Sequence, residues 1–123
     1  MAAIRSKDTS PELAIRKMVY ALGYRYRLHD PKLPGKPDLV FSSRRKALFV
    51  HGCFWHRHNG CGRATIPKTR REFWEAKLSR NVLRDKRNLR LLRKLGWKVL
   101  TAWQCELENP TKLRKRLDEF LSN

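Results

Sequence analysis

The chain has 123 residues, 41% of them apolar, which suits one core and is too short for two ordinary domains. No apolar run approaches the roughly 20 residues that cross a bilayer, and the start, MAAIRSKDTS, lacks the apolar stretch of a secretory signal; the expectation is one domain over 1–123, a soluble, cytoplasmic monomer with no membrane partner. The 29 Lys and Arg against 11 Asp and Glu leave a net charge of +18, and a folded domain this basic suits nucleic acid better than the alternatives, a charge that serves only solubility or an anionic lipid surface.

The first element is predicted at 11–22. Thr9-Ser10-Pro11-Glu12 offers a capping residue, a first-turn proline and a first-turn acid, then Leu13, Ile15, Met18, Val19 and Leu22 lead up to Gly23. YRYRL (24–28) alternates aromatic and basic residues, LPGKP (33–37) is a Pro/Gly connection, and DLVF (38–41) and KALFV (46–50) flank SSRR. These are three strands, the last two a hairpin. A His/Cys-rich loop follows. Residues 70–95 then carry a helical stripe at Leu78, Val82, Leu89, Leu92 and Leu95, stopped by Gly96. WKVLTAW (97–103) reads as a fourth strand, and Asn109-Pro110 opens a last helix bearing Leu113, Leu117, Phe120 and Leu121. The order is α-β-β-β-α-β-α, an α/β fold.

Three cysteines in a chain with no export signal do not suggest a disulfide framework. Cys53, His58 and Cys61 have the spacing C-x4-H-x2-C, which lets one short loop offer three ligands to a tetrahedral ion. Cys105, just past the fourth strand, is the candidate for the fourth. A closed Cys3His shell suits structural Zn2+; otherwise Cys105 is a buried apolar residue and the other two are free thiols.

Asp38 follows Pro37 where a turn leads into a strand, a rigid and reachable place for a Mg2+ ligand, although an Asp there also serves simply as a turn residue. Asp85 lies on the apolar stripe of the long helix and needs a partner, either an arginine or a histidine of the preceding loop. His51 and His56 are the loop histidines that zinc leaves over, suited to catalysis or to scaffolding. Glu12 would ordinarily complement its helix dipole. Phe54 and Trp55, pinned between proposed zinc ligands, cannot both be buried. With Trp74, amid KTRR and Lys77, they form a candidate wedge that unstacks bases while the cations hold phosphates. Phe73, Trp97 and Trp103 are assigned to core packing.

DTSPE (8–12), LPGKPDLVF (33–41), LFVHGCFWHRHNGC (48–61), TRREFWEAKLSRNVLRDKRN (69–88) and LGWKVLTAWQCEL (95–107) together resemble the very-short-patch repair (Vsr) mismatch endonucleases, a branch of the restriction-endonuclease-like nucleases. HGCFWH carries the resemblance most specifically. It implies a mixed β-sheet flanked by helices and a bacterial enzyme working at the nucleoid during repair. Its substrate would be duplex DNA with a T:G mismatch, nicked just 5′ to the thymine to leave 5′-phosphate and 3′-hydroxyl ends. It also implies that Asp38 and the backbone carbonyl of Val50 hold catalytic Mg2+, that His56 is the general base with Asp85 orienting it, and that His51 and Glu12 belong to the active site. Cys53, His58, Cys61 and Cys105 would hold Zn2+. Phe54, Trp55 and Trp74 would be the wedge, with Met1 and Ile4 approaching from the minor groove.

The superfamily's usual acid-x-lysine is replaced here by Phe49-Val50-His51, which leaves the Mg2+ few protein ligands and predicts weak binding. Two rivals stand beside this reading. One is a nicking or restriction enzyme of the same fold acting on paired DNA, and the other is a zinc-stabilised DNA-binding module without catalysis.

Overall fold

A threonine cap and a proline start the first helix. Thr9 Oγ1 accepts a hydrogen bond from the Glu12 N–H at 3.4 Å, and α1 runs Ser10–Ala21. The computed structural model describes residues 9–123; Met1 and Ile4, expected near the minor groove, lie outside the described residues. After α1 come β1 (Arg27–Leu28), β2 (Leu39–Phe41) and β3 (Lys46–His51), then α2 (Arg71–Lys94), β4 (Lys98–Trp103) and α3 (Pro110–Ser122). This is the order expected from the sequence. The strand expected at 24–28 is confined to Arg27–Leu28, because β2 is only three residues long and pairs with just those two.

The sheet order is β1-β2-β3-β4, antiparallel across the first two pairings and parallel between β3 and β4. The parallel pair requires a crossover, which α2 supplies. Strand alternation then sorts the core. Leu39, Phe41, Leu48 and Ala102 face one way and pack with Ile15 and Val19 of α1 and Leu113, Leu117 and Leu121 of α3. Val40 and Ala47, also buried, point to the opposite face, which α2 crosses with Leu78 and Leu92 buried.

Two local details fix the frame, one of them a buried cation. Lys46, 2% exposed, donates from Nζ to the carbonyls of Phe120 (2.6 Å), Leu121 (3.3 Å) and Asn123, so a cation closes the C-terminal end of α3 where the carbonyls lack helical partners. Gly35, at φ +77, brings the LPGKP loop against α2. A Cβ there would meet the Asn88 side chain at 3.0 Å, so that side chain would have to shift, and the positive φ itself favours glycine.

The core assignment of three aromatics is corrected. Phe73 is 44% exposed, because the first turns of α2 project beyond the buried stretch that begins at Leu78. Trp97 is half-buried under the Arg45 guanidinium, and Trp103 is half-buried between two histidines of the His/Cys loop. Leu95, expected on the buried stripe, is 54% exposed at the end of α2.

Candidate active site

The parallel register of β3 and β4 sets His51 beside Trp103. Both chains then leave the sheet at the same edge, one into the His/Cys loop and the other toward Cys105. As a result Cys53, His58, Cys61 and Cys105 each offer one ligand atom within 4.8 Å of the others. The Cys105 N–H donates to Cys53 Sγ at 3.4 Å, Cys105 Sγ lies 3.4 Å from His58 Nδ1, and the His58 ring stacks on Trp103 with centroids 4.1 Å apart. Burial pushes the Cys53 thiol up, and burial together with the neighbouring Cys53 pushes Cys105 up to about 12; the Arg63 backbone N–H pulls Cys61 down. Three sulfurs and one imidazole nitrogen in this arrangement fit a tetrahedral, thiolate-binding ion, which would displace the thiol protons as it bound.

On the far side of the same loop, His56 Nδ1 is 2.6 Å from Asp85 Oδ2. Of the two partners open to Asp85, the structure has the histidine. With Nδ1 protonated toward the carboxylate, Nε2 is left to accept a proton. His51, only 8% exposed, stacks on His56 with centroids 3.7 Å apart and planes 6° from parallel. Burial, followed by the adjacent His56, drives its pKa down to about 3, so it stays neutral beside its neighbour. His51 Nδ1 is buried without a hydrogen-bond partner. Such an atom is costly to leave unmet and is suited to a group brought in from outside.

Asp38 lines the same cleft as this pair. Its Oδ2 accepts from the Val50 N–H at 2.7 Å. Burial raises its pKa to about 7 against the pull of that bond, helped by the negative charge of nearby Glu12. A partly buried carboxylate in this condition gains by meeting a cation, which is the fit expected of a divalent metal ligand. Glu12 is 2% exposed and is paired by Arg16 one turn further along α1 and by His29, whose Nε2 is 2.7 Å away. Sequence reasoning missed His29. It follows β1 with φ 47, and no spacing rule links it to a carboxylate 17 positions earlier.

Asp38, Val50, His51, His56 and Asp85 all line one open cleft of about 1540 Å³ between α2 and the sheet. That is larger than the usual pocket for a small ligand. Beside it the rings of Phe54, Trp55 and Trp74 gather, with centroids 5.1 Å (Phe54–Trp55), 5.4 Å (Phe54–Trp74) and 5.8 Å (Trp55–Trp74) apart. All three are half-buried, with Lys77 close along α2, and Phe73 extends the group at 5.2 Å from Trp74 under the Arg70 guanidinium. Asn81 donates to the Trp55 carbonyl at 3.1 Å and so ties the loop to α2. The arrangement can hold a cation, accept a proton and present a basic aromatic face to one extended anionic ligand.

Comparison with known proteins agrees with that chemistry. The family model for the DNA mismatch endonuclease Vsr matches residues 1–63. The chain is 49% identical over 121 residues to the type II nicking enzyme V.XorIIP of Xanthomonas oryzae pv. oryzae, covering 98% of this chain and 88% of that protein. It is 40% identical over 126 residues to the DNA mismatch endonuclease Vsr of Escherichia coli, covering 98% and 80%. Among solved structures it resembles the homing endonuclease I-Bth0305I catalytic domain, with a TM-score of 0.65 over 92% of this chain and 94% of that one. At 21% identity that likeness is one of fold.

Proposed function

The chain belongs to the Vsr family of DNA mismatch endonucleases, and from that premise we propose that it nicks the thymine-bearing strand of duplex DNA 5′ to the thymine of a T:G mismatch. The observation that carries the reading is the His56–Asp85 pair at 2.6 Å, in the cleft that Asp38 also lines, beside three gathered rings. Asp85 holds the imidazole in the tautomer whose Nε2 removes a proton from the attacking water. His51, kept neutral by burial, adds no positive charge against His56 when that ring becomes protonated, and its unpartnered Nδ1 suits a phosphate oxygen or the water. Asp38 and the Val50 carbonyl are the proposed holders of Mg2+, which would supply phosphate neutralisation and stabilise the leaving oxygen. The four-residue Cys/His cluster would take Zn2+ as a structural ion, fixing the turn that carries His56. Phe54, Trp55 and Trp74 are the proposed wedge, with Lys77 and the surrounding arginines on the phosphates.

A second reading is a nicking enzyme that acts on fully paired DNA; V.XorIIP and the Neisseria meningitidis relative V.NmeAIP are type II nicking enzymes, a description that fits either substrate. Two duplexes identical except for T:G or C:G at one position separate the readings. Mismatch repair predicts a single nick in the T strand of the first, with 5′-phosphate and 3′-hydroxyl ends, and little cutting of the second. Equal rates on both would remove mismatch recognition and leave the paired-site nickase.

A further inference from the structure

His29 has no part in the reaction as proposed, yet it lies beside Asp38 in the same cleft. Its Nε2 is 2.7 Å from Glu12 Oε2 and 3.9 Å from Asp38 Oδ1, and one ligating atom from each of the three residues lies within 4.8 Å of the others. A divalent cation with ligands at about 2.1 Å spans at most about 4.2 Å between opposite donors. Small side-chain rotations therefore close this triangle on one ion.

The main chain holds the same arrangement. His29 adopts a left-handed backbone, φ 47, a conformation in which histidine, like asparagine and aspartate, is enriched. In that conformation its N–H donates to the Asp38 carbonyl at 3.2 Å. That turn and hydrogen bond keep His29 beside Asp38. Charge compensation of the buried Glu12 does not require it, since Arg16 already pairs with that carboxylate. His29 and Asp38 also line the cleft that holds His56 and Asp85.

We propose that His29 is a nitrogen ligand of the catalytic divalent cation, shared with Asp38 and Glu12, and that the site therefore favours a first-row transition ion such as Mn2+ over Mg2+. The inference rests on Asp38 being the metal ligand of the proposed nuclease, and it refines which ion that ligand set selects. Imidazole nitrogen is a softer donor than water or carboxylate oxygen, so its presence discriminates against Mg2+.

The test uses zinc-loaded, full-length protein without DNA, titrated with Mn2+ and followed by pulsed electron paramagnetic resonance and calorimetry. The wild type should show 14N modulation on bound Mn2+ and bind Mn2+ at least about tenfold more tightly than Mg2+. His29→Asn, chosen because asparagine tolerates the left-handed backbone, should lose the nitrogen signal and most of that preference while retaining its zinc and its circular-dichroism spectrum. Absence of nitrogen modulation in the wild type, or its persistence in His29→Asn, overturns the proposal; persistence would assign the signal to His51 or His56. Nicking is scored separately. A wild type that nicks T:G duplex with no nitrogen signal loses the ligand assignment alone, whereas one with the signal that cuts no duplex keeps it and loses the endonuclease reading.

Discussion

Asp38 answers to two opposed demands. Its carboxyl is pushed up to about 7 by burial and by Glu12, against about 3.9 in an unfolded chain. Between those values the folded protein holds a proton that the unfolded chain has released, so Asp38 makes the protein less stable as pH rises through the window, and the cost is complete above about pH 7. Asp38→Asn keeps the acceptor for the Val50 N–H and removes the buried charge. Without added Mg2+, the variant should melt higher than the wild type at pH 8, the two should converge near pH 4, and nicking should be lost. A variant no more stable than the wild type at pH 8 would contradict the burial argument. Stability given up for a carboxylate is what a metal-binding role predicts. At this scale the sequence is legible where a residue breaks a pattern: Asp85 on an apolar stripe demands a partner, and His56 is that partner. His29 breaks no pattern. Its meaning comes from a backbone turn and a contact with α1, neither of which spacing encodes.

The His/Cys loop depends on β4 for its shape. Cys53, His58 and Cys61 come from the loop, but the parallel register delivers the fourth donor, Cys105, from beyond Trp103. Cys105→Ser should lower the zinc content from one equivalent toward none and lower the melting temperature with it, because metal binding to such a set is folding free energy; nicking should fall too, as the turn bearing His56 loosens. Unchanged zinc stoichiometry would contradict the proposed shell. The helices were legible to within a residue because each has a cap or a stop: Thr9 and Pro11 for α1, Gly96 after α2, and Asn109, whose Oδ1 accepts from the Lys112 N–H at 3.3 Å, for α3. Extents that depend on partners were harder to read. β1 shrinks to two residues because β2 offers so little edge, and Phe73 faces solvent because the helical stripe says nothing about where the sheet beneath it ends.

For the molecule as a whole, charge and selectivity arise from different places. A net charge of +18 attracts any duplex, and phosphate contacts carry no sequence information. In the proposed reading, discrimination therefore comes from the one turn that the Cys/His cluster, the Asn81 bond and α2 hold in place. On its two sides lie the rings and the His56–Asp85 pair. No helix among the described residues is long and apolar enough to cross a membrane. The described fold, four strands with α1 and α3 on one face and α2 on the other, leaves beneath α2 the cleft that Asp38, His51 and His56 line. The most direct test of this account is the single-turnover nicking rate of wild type and His56→Ala on one T:G duplex at neutral pH, with DNA affinity measured alongside. Loss of the imidazole should slow nicking by about 10²–10⁴-fold with affinity essentially unchanged. A variant that cuts at the wild-type rate would contradict the assignment of His56 as the proton acceptor on which the proposed chemistry depends.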